Sequence, residues 1–512
     1  MLAEALARMA GAAVLIGHPP FGTRPCSEIS GPVPDLHTRI DDPSELRARY
    51  EGCGQGHVFA HWDRLDSAAR EALIAQAARI DPVALRAALE RAATLAQGAP
   101  GDLEPAPVDR LPEHGGEAAF RARAEEVGQA QLERGEVAVL VMAGGQGTRL
   151  GLAGPKGALA VGPVSDRSLF ELQAQKIRGA SRRSGRPLPW LVMTSAATDV
   201  ATRALFDQQR GWGVPAEDIE IFCQGTAPSV DFEGRLLLAA PGQIVESPDG
   251  HGGCLGALVS SGLVERLRAR GIRRITTHQV DNPLVRIADP VYLGVHRLRE
   301  ADMSCKVVAK RSPEERAGTV GRLEGQTRVI EYTEIAPRHR DLRDAAGELV
   351  FWPASIGMHV LELDFVERVG SDVERWLPYH ASPKKIPAID PAGPFSAPPL
   401  VPGEPNGYKL ERFIFDALGA ARRAALLEVR REEEYAPIKK PDGGESPLEA
   451  RRALTALARR WLDEAGIEGA EDASWIELDQ SCIDGAAEAR RSGIRHVTDA
   501  PDRIRVATGE AT

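Results

Sequence analysis

Residues 139–151, VLVMAGGQGTRLG, followed by Pro155-Lys156-Gly157, hold the residue types and spacings in this chain with the most chemical potential. A hydrophobic run leads into Gly144, Gly145, Gly147 and Gly151, four glycines within eight positions. Glycine lets backbone N–H groups approach an anion closely, so the loop suits a phosphate cradle; the same pattern also serves a tight strand-to-helix turn. Two cations, Arg149 and Lys156, stand seven residues apart and could grip a polyphosphate. Two other phosphate motifs fail on spacing. A P-loop needs GxxxxGK[ST], but Lys156 is followed by Gly157, which offers no hydroxyl to a metal. The dinucleotide fingerprint GxGxxG fails because Leu150 stands where its last glycine should be.

In these residues the chain resembles the eukaryotic-type UDP-sugar pyrophosphorylases, and further stretches resemble their UDP-N-acetylglucosamine branch. The stretches are 168–175, 189–195, 222–225, 247–253, 280–282, 329–335, 384–387 and 405–416. Each is weak alone; in this order, over roughly residues 50–450, they are specific.

The resemblance implies a Rossmann-like, GT-A-like nucleotidyltransferase domain, α/β with a mixed, mostly parallel sheet. The implied reaction is attack of a sugar-1-phosphate oxygen on the α-phosphorus of UTP, with release of pyrophosphate. N-acetylglucosamine-1-phosphate is the leading acceptor; glucose-1-phosphate, or a broad range of sugar-1-phosphates, is the alternative. A catalytically silent sugar-nucleotide-binding protein on the same fold is the rival of another class. By resemblance, Arg149, Lys156 and Lys409 are the catalytic cations, and Gly144 and Gly145 hold the UTP phosphates. Uracil falls to the backbone of Met142, Ala143 and Gly144, with Gln224 and Gly250 completing the edge. An amide can both donate to and accept from a pyrimidine, which suits Gln224. Asp281 is the implied ligand of Mg²⁺, with Mn²⁺ able to substitute.

His251, Glu334 and Ser355 fall in the sugar half. Two of these depart from the branch. It usually reads PDGNGG where this chain has Pro248-Asp249-Gly250-His251-Gly252-Gly253, and His251 could meet sugar or ribose with either ring nitrogen. It has an asparagine where this chain has Ser355, so one hydrogen bond to the sugar is altered or lost.

The elements that must position these residues follow from periodicity. Short apolar runs at 137–142, 190–193, 219–222, 275–280 and 304–308 alternate with helical patterns at 168–180, 201–210 and 256–270, the signature of an α/β domain with a largely parallel sheet. Asp281 then follows a strand, where an open α/β sheet places its ligands. Closer strand spacing around 320–334 and 347–363 predicts an antiparallel part. Lys409 reads as part of a polar turn before the amphipathic run 410–418.

Outside this domain, residues 1–43 are read as a poorly ordered extension and 44–110 as a helical region, with helices from Asp66 and from the cap Asp81-Pro82. The catalytic domain is read as 111–430. Residues 431–512 are read as a small C-terminal α+β domain whose main helix starts at the capping box Ser446-Pro447-Leu448-Glu449 and stops at Gly466.

Composition bounds the rest. With 512 residues, 43% hydrophobic and 27% charged, the chain can bury a large core, so disorder as a default is excluded. No run approaches the roughly 20 apolar residues of a membrane span. The opening segment imitates a signal peptide, but Glu4 and Arg8 interrupt it, and six scattered cysteines without a CxxC pair point to the cytoplasm. A net charge of −10 argues against general nucleic-acid binding and requires locally concentrated cations for any anionic substrate.

Overall fold

The computed structural model describes residues 42–96, 102–471, 473–494 and 503–506. The extension expected over 1–43 lies outside them except for its last two residues. A ten-stranded mixed sheet organises the protein. In chain order its strands are β1 (Leu103–Glu104), β2 (Val137–Met142), β3 (Trp190–Thr194), β4 (Ile219–Cys223), β5 (Arg274–Gln279), β6 (Met303–Ala309), β7 (Thr319–Leu323), β8 (Gln326–Ile330), β9 (Pro353–Glu362) and β10 (Ala424–Glu428). Strands β5, β2, β3 and β4 lie side by side and all run parallel. Beyond β5 the sheet turns mixed: β9 is antiparallel to both β5 and β6, β6 is parallel to β10, and β7 pairs antiparallel with β8.

The continuous apolar run of β2 has a simple cause. Val137, Val139 and Val141 enter one core with Trp190 and Val192, while Ala138, Leu140 and Met142 enter the opposite core with Leu191 and Met193. A strand covered by helices on both faces must be apolar at every position. The helical pattern over 256–270 is two helices, Cys254–Ser260 and Leu263–Ala269, because Gly262 at φ 68° breaks the register between them.

The N-terminal helices Ser67–Ala78, capped by Asp66, and Pro82–Ala96 belong to a shared core. Leu46, Tyr50 and Leu73 pack with Val230, Leu238, Ile389 and Leu410. Here a second sheet forms from the strands Val230–Asp231, His380–Lys384 and Gly407–Glu411. Lys409 therefore stands on a strand, opposite Ser382, and not in a turn. Pairing with a segment some 25 residues upstream decides this, and local polarity could not reveal it.

The C-terminal helix Pro447–Ala465 starts at Ser446, whose hydroxyl accepts from Glu449 N, and ends at Gly466 with φ 72°. Strand Trp475–Leu478 beyond it pairs in parallel with Arg503–Val506. No helix among the described residues is long and apolar enough to cross a membrane.

One buried ionic cluster ties three layers together. Lys306 on β6 is fully buried, its Nζ 2.7 Å from Asp289 Oδ2 and 2.5 Å from Glu434 Oε2. Asp289 also caps the helix Pro290–Leu298, accepting from Val291 N at 3.1 Å. Removing the ammonium would leave Glu434 buried without its ion-pair partner and Asp289 with only Arg286, 3.7 Å away, so Lys306→Ala should lower unfolding free energy by about 3–5 kcal/mol, read as a shifted denaturant midpoint.

Candidate active site

The Gly-rich loop leaves β2 at the carboxyl edge of the sheet. Ala143 N still donates to Met193 O at 2.8 Å; the chain then folds back on itself through Gly147 N to Gly154 O at 3.0 Å and Lys156 N to Gly145 O at 3.1 Å. Arg149 stands on the short 3₁₀ turn Thr148–Leu150, exposed and without a hydrogen bond or ion pair to a described residue. Lys156 opens the next such turn, Lys156–Ala158.

Strands β2 and β5 are neighbours in register, Met142 opposite Gln279, so the loops that follow them meet. Lys156 Nζ lies 2.7 Å from Asp281 Oδ2, with the two side chains 16% and 17% exposed. The loop carrying Asp281 is itself braced. Ile438 N donates to Asp281 O at 3.0 Å, and Asn282 donates to Glu434 O at 2.6 Å while accepting from Ala436 N at 3.1 Å. Among the described residues no three His, Cys, Asp or Glu side chains converge as a metal cage. Asp281 offers a single carboxylate, a donor set that fits a hard cation arriving with phosphate oxygens and keeping its waters.

A third loop face contains Gln224, whose backbone N donates to Thr194 O at 2.9 Å. Its amide Nε2 is 3.3 Å from Asp249 Oδ1 and 3.5 Å from Gly250 O. Ser195 Oγ donates to Gly144 O at 2.7 Å and so fixes the loop's first glycine. Gly250 has φ 88°, and a side chain there would run into the carbonyl of Arg412. Asp249 is buried, and burial raises its pKa to about 6 against the pull of the Arg412 charge. Neither Ser195 nor Asp249 stands out in the sequence beyond lying in a matched stretch. Their roles depend on burial against distant segments.

Of the expected sugar-side residues, His251 and Glu334 are linked through Phe413 and His380. His251 Nδ1 accepts from Ile414 N at 3.1 Å, and its ring stacks on Phe413 at 5.2 Å. The expectation of two usable ring nitrogens is thereby corrected: Nδ1 is occupied and only Nε2 is on offer. Burial, with the nearby His380 charge, lowers the pKa of His251 to about 4, so the ring is neutral.

Glu334 is held by a neighbour that the sequence did not suggest. His380 bridges Glu334 Oε1 at 3.1 Å and Asp416 Oδ2 at 2.9 Å. Burial alone would lower the pKa of His380, but the two carboxylates override it and hold it at about 10. Glu331 adds a third carboxylate, pushed up to about 7 by burial and by the charge of Glu334. Ser355 lies on β9, where its Oγ accepts from Gly357 N at 3.3 Å and sits 3.3 Å from Cys305 Sγ. Lys409 is half-buried, and its side chain makes no hydrogen bond or ion pair with a described residue.

A brace reaches the cation loop from the far end of the chain. Glu477, on strand Trp475–Leu478, accepts from Val164 N and Ser165 N at 2.9 Å each, from Ser165 Oγ at 2.5 Å and from Arg167 Nη1 at 3.2 Å. The segment eight residues beyond Lys156 is thus held by the C-terminal unit.

Comparison with known proteins gives a consistent picture. Residues 117–443 match the family described as UTP–glucose-1-phosphate uridylyltransferase. The chain is 36% identical over 471 residues to UDP-N-acetylhexosamine pyrophosphorylase-like protein 1 of Xenopus tropicalis, covering 89% of this chain and 91% of that one. It is 37% identical over 352 residues to UDP-N-acetylglucosamine pyrophosphorylase of Saccharomyces cerevisiae, covering 66% and 72%. The crystal structure of uridine diphosphate N-acetylglucosamine pyrophosphorylase from Trypanosoma brucei superposes with a TM-score of 0.74 at 29% identity, covering 88% of this chain and 94% of that one.

The two histidines make opposite predictions at neutral pH. Long-range ¹⁵N–¹H NMR should report His380 as an imidazolium and His251 as a neutral ring protonated on Nε2; a neutral His380 would contradict the bridge. Because the pKa of His380 is raised from 6.5 to about 10 in the folded protein, its stabilisation is complete below about pH 6.5 and is lost as pH rises through about 10. Thermal melts across that window should fall more steeply for the native protein than for His380→Gln.

Proposed function

This chain belongs to the UTP–glucose-1-phosphate uridylyltransferase family, and from that premise we propose that it joins UTP to N-acetylglucosamine-1-phosphate, making UDP-N-acetylglucosamine and pyrophosphate. The observation that carries this reading is the Lys156–Asp281 pair, set at adjacent strand ends where the glycine-rich loop with Arg149 leaves the sheet.

In the reaction, an oxygen of the sugar phosphate bonds to the α-phosphorus of UTP in line with the bridging oxygen to the β-phosphorus. That P–O bond breaks, and pyrophosphate leaves with its electron pair. The protein has little covalent work to do; it positions the two anions and neutralises charge as it develops. Backbone N–H groups around Gly144 and Gly145 face the phosphates, Arg149 grips the leaving pyrophosphate and Lys156 stabilises the α- and β-phosphate oxygens. Lys409, on the smaller sheet, draws in the sugar phosphate. Asp281 would hold Mg²⁺, or Mn²⁺ in its place, which supplies further neutralisation of phosphate charge. The Lys156–Asp281 contact keeps both groups in place until phosphate oxygens share the ammonium.

The uracil lies against the backbone of Met142, Ala143 and Gly144, with Gln224 and Gly250 reading its edge. His251 Nε2, Glu334 and Ser355 face the sugar. The engagement of the Ser355 hydroxyl with Gly357 N favours a second reading for the acceptor, in which glucose-1-phosphate or another hexose-1-phosphate is also used. The chain works in the cytoplasm on this account, with no nucleic acid or membrane partner.

Pyrophosphate release from UTP should occur with at least one of N-acetylglucosamine-, N-acetylgalactosamine-, glucose- and galactose-1-phosphate; silence with all four would leave only a sugar-nucleotide-binding protein. Chelation of divalent cations should stop turnover, and added Mg²⁺ should restore it. Lys156→Ala should lower turnover by about a hundredfold or more with the fold intact by circular dichroism. Ser355→Asn should shift the ratio of N-acetylhexosamine to hexose use more than it shifts UTP affinity.

A further inference from the structure

The contact between Gln224 and Asp249 addresses a problem that an amide alone cannot solve. Uracil presents an N3–H donor beside the O4 acceptor, whereas cytosine presents an N3 acceptor beside an N4 amine. A glutamine that turns its amide over can satisfy either base, because its oxygen accepts and its nitrogen donates. Selection of uracil therefore needs a neighbour that permits one amide orientation only.

Asp249 has the chemistry for this. An ionised carboxylate only accepts, and its Oδ1 lies 3.3 Å from Gln224 Nε2; the Gly250 carbonyl, a second pure acceptor, lies 3.5 Å from the same nitrogen. Turning the amide over would set Gln224 Oε1 against two acceptors at once. In the observed orientation Oε1 faces the other way, toward Gly144, where a Cβ would come within 2.5 Å of it. Gly144 is where the proposed function sets the base against the loop backbone.

Asp249 is itself held firmly. Its N donates to Gly225 O at 3.2 Å, and its O accepts from Arg412 N at 2.7 Å. A side chain on Gly253 would collide with its carboxylate, so the carboxylate fills a slot that only glycine leaves open.

We infer that Asp249 is the positioning residue for pyrimidine choice: it fixes the Gln224 amide so that Oε1 accepts from the N3–H of uracil and is repelled by the N3 lone pair of cytosine. The inference rests on the uridylyl-transfer reading and on the placement of uracil against Gln224. A site built for one hydrogen-bonding edge rejects its mismatched counterpart by large factors, so the effect should be measurable in a preference ratio.

The test is binding of UTP and CTP to the full chain by calorimetry, with kcat/KM for both nucleotides in the pyrophosphate-release assay. The unaltered protein should prefer UTP. In Asp249→Asn the side chain can donate as well as accept, so the turned amide faces one pure acceptor, the Gly250 carbonyl, in place of two; the penalty on that orientation falls, and the UTP:CTP preference should fall at least about tenfold. Should that variant not fold, Asp249→Ser, smaller and also both donor and acceptor, carries the same expectation. A variant that weakens UTP and CTP equally, leaving the ratio unchanged, would overturn the role of Asp249 while leaving uridylyl transfer standing. An unaltered protein that binds no UTP, or binds CTP equally well, would overturn the placement of uracil and this inference with it.

Discussion

Everything at this site depends on the parallel pairing of β2 with β5. Because the two strands run in the same direction and in register, both chains leave the sheet at one edge within a few ångströms of each other. A glycine-rich loop with two cations and a loop with a carboxylate, 125 residues apart in sequence, are thereby forced into contact at Lys156 and Asp281. An antiparallel neighbour would have sent the second loop to the opposite edge. The cores on both faces enforce the register, since a one-residue slip would exchange Val139 and Leu140 between two differently filled layers.

The residues proposed for the nucleotide and those proposed for the sugar use different physics. In the set proposed for the nucleotide the groups are backbone dipoles and an amide, held by Ser195, Asp249 and the loop's own hydrogen bonds. Little has to reorganise when a charged ligand enters. The set proposed for the sugar is built on ionisable groups, with His380 carrying a charge between Glu334 and Asp416 and His251 kept neutral a ring away. Phe413 lies between the two histidines, 4.4 Å from His380 and 5.2 Å from His251, so the charged and neutral rings share one aromatic plate.

The parts legible in the sequence were those governed by local rules. Glycine sterics marked the loop from Gly144 to Gly151, an unbroken apolar run marked β2, and capping marked the helices that start at Asp66 and Ser446. The site's first anions and cations followed, because they sit beside those features. What escaped was set by contacts between distant segments. Lys409 lies on a strand because residues 380–384 pair with it, and Glu334 is an ion-paired group because His380 and Asp416 close over it. Glu331 shifts toward neutrality chiefly because burial excludes water from it, with the charge of Glu334 adding to the effect. The break at Gly262 was a local signal overridden by the apolar spacing on either side.

The grip of Glu477 on Val164, Ser165 and Arg167 joins positions more than 300 residues apart in the chain. During synthesis the phosphate loop leaves the ribosome some 300 residues before its brace is made. A nascent chain can build β2, β3 and β4 while the loop that follows Lys156 still lacks these carboxylate contacts. Bracing of the loop is in this sense deferred until Glu477 has been made, and a chain that stops short of it carries the motif without the support that steadies it.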